Sequence, residues 1–185
     1  MKLQNLIHIL IGIVCIGLLP GAQALSPAPD GGYPGMNTAE GEGALFSLTT
    51  GENNTAVGWQ ARFGNTTGAG NTAIGSAALQ VNTTGHSNTA VDNFALPVNT
   101  TGDYNTAVGE AVLWRNTSGE RNTASGYTAL FSNTTGLGNA AIGFGALSNN
   151  TLGWENAALG LQALVQNLTS SVNTRLYLAS VEAER

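Results

Sequence analysis

The chain is short of the residues that most protein chemistry uses. It has one cysteine, one lysine and two histidines in 185 residues; 9% of its residues are charged and 6% are aromatic. Cys15 and His8 both lie in an apolar stretch near the N-terminus, so His86 is the sole histidine beyond it. A disulfide needs a second thiol, and zinc or another transition metal needs several His or Cys ligands, so none of these is expected. No cofactor is expected either. Five arginines (Arg62, Arg115, Arg121, Arg175, Arg185) face eleven carboxylates. Nucleic-acid binding requires a basic footprint, and this balance excludes it. Disordered chains combine high net charge with abundant Pro, Lys and Glu. Here the prolines number five and the net charge is −5, so the composition does not read as disorder.

Glycine, asparagine, threonine and alanine fill the space these absences leave, with 25 glycines alone. Before them, residues 1–24 read as a secretory signal peptide. Lys2 supplies the positive start, Leu6 to Leu19 the apolar run, and Ala22-Gln23-Ala24 an A-x-A cleavage signature. Pro20-Gly21 ends the run short of a comfortable membrane span, with an uncleaved anchor as the alternative. Cleavage leaves no membrane span, so the expected location is extracellular or the cell surface. Residues 25–36 read as a linker.

From there a strict repeat organises the chain. Asparagine recurs every 17 residues at Asn37, Asn54, Asn71, Asn88, Asn105, Asn122, Asn139 and Asn156, and again at Asn173. Eight complete units therefore occupy residues 37–172. Counting each Asn as position 1, position 3 is Ala in all eight units, and positions 5 and 15 are each Gly in seven. Position 9 is Leu in seven, with Arg62 the exception. Asn-Thr-Thr/Ser-Gly occupies positions 12–15 in five units, beginning at Asn65, Asn82, Asn99, Asn116 and Asn133.

Asn-Thr-Ala-Val/Ile-Gly is a short β-compatible run closed by a glycine able to turn at positive φ. Asn-Thr-Thr-Gly reads as a second such run, again closed by glycine. Two strands and two corners in 17 residues make one coil of an all-β, parallel β-solenoid, with identical asparagines stacked into amide ladders. Helical repeat units exceed about 30 residues, which these coils cannot hold. The expected core of each coil is Val/Ile, Leu and two alanines. So small a core offsets the entropy of ordering a coil poorly, and association into an oligomer would supply further burial.

Taken together, units such as Asn71-Thr-Ala-Ile-Gly and Asn105-Thr-Ala-Val-Gly resemble the head repeats of YadA-like trimeric autotransporter adhesins. The longer pattern, Asn-Thr-Ala-Val-Gly-x-x-Ala-Leu-x-x-Asn-Thr-Thr-Gly, also looks like the repeats of bacterial tail-fibre-domain proteins. The resemblance covers residues 37 to about 172. It implies a left-handed β-roll, packing of three chains into a trimeric head, surface display, and adhesion to a host-surface protein or glycan. The stalk and barrel anchor of such adhesins have no counterpart before Arg185. Residues 173–185 read as a cap or the start of a stalk.

No catalytic constellation stands out. His86 occupies variable position 16 and reads as a solvated corner residue, although Asp92 or Asp103 formally completes a Ser/His/Asp set. Glu40, Glu42, Glu110, Glu120 and Glu155 read as scattered solubilising charges rather than a glycosidase pair. The glycine pairs Gly136/Gly138 and Gly143/Gly145 lack the βαβ context of a phosphate loop. Eight Asn-x-Thr/Ser triplets read as turn chemistry ahead of glycosylation. The expected function is therefore that of a non-catalytic adhesive or structural rod. The alternative is ice binding through the in-register row Thr55, Thr72, Thr89, Thr106 and Thr123.

Overall fold

A computed structural model describes residues 34–176. The expected signal segment, residues 25–33 and residues 177–185 lie outside the described residues. Nine strands form one parallel sheet in sequence order: β1 (Thr38–Glu40), β2 (Thr55–Val57), β3 (Thr72–Ile74), β4 (Thr89–Val91), β5 (Thr106–Val108), β6 (Thr123–Ser125), β7 (Ala140–Ile142), β8 (Ala157–Leu159) and β9 (Thr174–Leu176). Register never slips: Thr72 pairs with Thr89, Ala73 with Ala90 and Ile74 with Val91, and each neighbouring pair repeats this. Each 17-residue unit is thus one coil of a β-solenoid, as the spacing predicts. At strand spacing the nine strands span about 38 Å. No helix occurs among the described residues.

Each strand is three residues long, and overlapping tight turns carry the chain away from it. In the second coil the Ala61 amide donates to Gly58 O (3.3 Å), Phe63 to Gln60 O (3.3 Å) and Asn65 to Arg62 O (3.2 Å). The first two turns place positive φ at their third residue, as type II turns require, with 52° at both Gln60 and Arg62. Position 9 adopts this backbone in every complete coil even though it is leucine in seven of the eight, for example 48° at Leu79 and 51° at Leu130. Left-handed backbone costs an L-residue roughly 1–2 kcal/mol. In return the Leu side chain is buried, and its amide reaches the next coil, as Leu79 N–H does to Ala95 O at 3.0 Å.

The core differs from the expectation at position 4. The strand's inward residue is Ala at position 3, and Val57, Ile74, Val108 and Ile142 point outward instead of into the core. The interior comprises the alanines of positions 3 and 8, the leucines of position 9 and the asparagines of positions 1 and 12. The coil is too narrow for more. The Asn71 side chain crosses it to donate from Nδ2 to Gly85 O at 2.9 Å, which leaves room for a methyl group at position 3.

Asn-Thr-Thr-Gly is also not a strand. It forms a bend, in which the amides of Thr66 and Thr67 both donate to Thr83 O in the next coil at 3.1 Å. The position-13 hydroxyls follow the same direction, from Thr66 Oγ1 to Thr83 O (3.0 Å) and from Thr83 Oγ1 to Thr100 O (2.9 Å). The two glycine positions serve different ends. Gly58 at position 5 has φ of +130° and a Cβ there would also lie 2.6 Å from Gly75 O, whereas Gly85 at position 15 has ordinary φ and is required for space alone. A Cβ on Gly85 would lie 2.5 Å from both Asn82 Oδ1 and Gly102 O. Ser170 replaces this glycine only in the last complete coil, where no ninth bend follows among the described residues.

Candidate functional site

Alternation along a strand sends positions 2 and 4 to the outer face. Thr55, Thr72, Thr89, Thr106 and Thr123 therefore form one row on that face, half-buried or exposed, with a parallel row of Val57, Ile74, Val91 and Val108 beside it. In-register pairing aligns both rows along the solenoid. Ile74 keeps 43% of its surface exposed and Ile142 46%. None of these five threonine hydroxyls bonds another described residue, unlike the position-13 hydroxyls. The face carries free hydroxyls and β-branched methyls, and of its positions in the eight complete units only Glu40, at the first coil, is charged. The threonine row gives way to Ala140 and Ala157 in the later coils.

The asparagine row lies inside, not on a face. In the middle of the solenoid, the Asn88 backbone amide and Nδ2 both donate to Asn71 Oδ1, at 2.8 and 3.0 Å. Asn88 Nδ2 also donates to Gly102 O at 2.8 Å. A second interior ladder runs along position 12, where Asn99 Nδ2 donates to Asn82 Oδ1 (2.7 Å) and to the same Gly102 O (2.8 Å). One carbonyl per coil thus joins the two ladders. The arrangement extends from Asn37 and Asn54 through Asn105, Asn122 and Asn139 to Asn156. Buried, doubly engaged amides cannot meet a ligand, so these residues hold the fold. Asn65, Asn82, Asn99, Asn116 and Asn133 are likewise buried, so the fold has no room for a glycan on them.

The ionisable groups do not converge. His86 Nδ1 accepts from the Ala69 amide (3.2 Å), while Asp103 Oδ1 accepts from the His86 backbone amide (2.7 Å) and not from its ring. Asp92 sits at position 5 with φ of 105°, its Oδ1 accepting from the Asn93 amide (2.7 Å). Arg121 and Glu120 form an exposed pair at 3.7 Å. Among the described residues no group of three or more His, Cys, Asp or Glu is placed to hold a metal ion.

Two features go beyond the sequence reading. Arg62 replaces the core leucine of position 9 and is fully buried. Its Nη1 and Nη2 reach Asn71 O and Gly68 O only at 3.5 Å, Nε has no partner among the described residues, and burial lowers its pKa to about 9. The break in the leucine column was the available signal. Aromatics also stack coil upon coil: Phe46 on Phe63 (centroids 5.0 Å apart), Trp114 on Phe131 (6.0 Å) and Tyr127 on Phe144 (5.3 Å). Compared with protein-family models, curated proteins and solved structures, the chain matches none.

Proposed function

We propose that this protein is a secreted or surface-displayed, non-catalytic rod whose chains associate side by side and present a binding surface for adhesion. The observation that carries this reading is the outer face of the sheet. It is long, regular and almost free of charge, and it exposes a row of β-branched side chains that a solitary chain would leave in water. Lateral association into a homotrimer covers such faces and adds the burial that so narrow a core lacks. Corner aromatics such as Trp59, Tyr104 and Trp154 stay exposed along the rod and suit contact with a host-surface protein or glycan. The repeats' resemblance to adhesin heads points the same way. Light scattering tests the association, and binding to immobilised glycans and cell-surface proteins tests the adhesion. A monomer that binds neither class overturns the proposal.

A second reading uses the same face. The free hydroxyls of Thr55, Thr72, Thr89, Thr106 and Thr123, spaced at the strand interval beside methyl groups, form a template for ordered water and thus for ice. The two readings exclude each other, because a face covered by another chain cannot meet ice. Inhibition of ice recrystallisation by a monomer favours the second; its absence at micromolar concentration removes it.

A further inference from the structure

Among the described residues the solenoid has two ends, and each presents a strand with one unpaired edge: β1 at the first and β9 at the last. Such edges are templates for another chain unless something blunts them. The last end retains much of what stacks one coil on the next. Asn167 and Asn173 continue the two interior ladders by donating to Asn150 and Asn156. Their own Oδ1 atoms, which in earlier coils accept from the following coil, accept nothing among the described residues. Beneath them opens a cavity of about 460 Å³, lined by inward positions including Leu164, Asn167, Ser170, Asn173 and Arg175.

Arg175 is the residue out of pattern. It stands at position 3, paired with Ala158, where all eight complete coils carry a buried alanine. We propose that Arg175 is a stop that bars the last strand to the first strand of a second copy of this chain. Parallel pairing in the common register would set Thr174 against Thr38, Arg175 against Ala39 and Leu176 against Glu40, the register that β1 and β2 already use. That pairing would seal a guanidinium into an interior sized for a methyl group. Among the described residues no carboxylate awaits it there: Glu40, Glu42 and Glu52 of the first coil are all exposed. Arg62 illustrates the penalty of an arginine inside this core, with Nε unpartnered and its pKa lowered. An inward-pointing charge on an edge strand is a known defence against open-ended assembly, and repeats that stack heterologously without closing form filaments.

The test is Arg175→Ala, which restores the residue found at every earlier position 3. The gene is expressed with its own residues 1–24, so that processing is left intact. Light scattering and negative-stain microscopy compare the purified products. The expected result is rods several times longer than the wild type, with mass rising with concentration, while Arg175→Lys keeps the wild-type length. Adding Ala39→Arg to R175A places a charge on the opposite edge and should return the wild-type length. Should R175A fail to fold, Arg175→Ser also removes the charge and answers in its place. An R175A or R175S protein of unchanged mass overturns the proposal. So does persistent assembly of the R175A/A39R protein, because the contact is then lateral and not end to end.

Discussion

Coils in the first half of the solenoid share an interior with those near its end, yet the two regions differ outside. The Asn88 amide meets Asn71 Oδ1 at 2.8 Å, and the Asn156 amide meets Asn139 Oδ1 at 3.1 Å. Ala78 and Leu79 are buried in one region as Ala146 and Leu147 are in the other. Outside, Thr72 and Thr89 flank Ile74 and Val91, whereas Ala140 and Ala157 flank Ile142 and Leu159, with Phe144 and Leu161 exposed nearby. Charge thins as well: Glu155 is the one charged residue between Asn139 and Val172. The inward positions therefore carry the constraints of the fold, and the outward ones are free to vary with function.

The largest effect should come from breaking the shared interior at its tightest point. Gly85→Val places side-chain carbons against Gly102 O and Asn82 Oδ1 and should destabilise by about 3 kcal/mol or more, seen as lost cooperativity in thermal unfolding. Asn88→Ala strands the Asn105 backbone amide and leaves Gly102 O with Asn99 Nδ2 as its remaining side-chain partner, and a loss of about 2–4 kcal/mol is expected in denaturant titration. Arg62→Leu completes the leucine column and should raise stability by about 2–4 kcal/mol. This change also has a pH signature. Burial lowers the Arg62 pKa to about 9, well below that of an ordinary guanidinium, so above pH 9 and up to the ordinary value the unfolded chain binds more protons. Wild-type stability relative to Arg62→Leu should then rise with pH across that window and be flat below it. The smallest stability effect is expected outside. Thr89→Lys should change folding by less than about 0.5 kcal/mol, yet abolish whatever the outer face binds.

Strict spacing made the coil, the parallel register and the stacked asparagines legible from residues alone. The inward face was not, because Ala and Val/Ile alternate at positions 3 and 4 and the larger side chain is ordinarily the core residue. Here the width set by Asn71 and Gly85 admits only the smaller one. Threonine's β preference likewise suggested a second strand, but the position-13 hydroxyls bond onward carbonyls and hold a bend. Leucine at φ near +50° has no sequence signature, since leucine is not a left-handed former. The outer threonine row was readable as a row; its free hydroxyls emerged only once the position-13 hydroxyls were seen to be engaged.

The most direct test is the solution mass of residues 25–185 of the wild type beside Thr89→Lys, by light scattering, with circular dichroism on both. A covered outer face predicts a β-rich trimer for the wild type and a β-rich monomer for the variant. A β-rich wild-type monomer would contradict the lateral rod and leave the face to water.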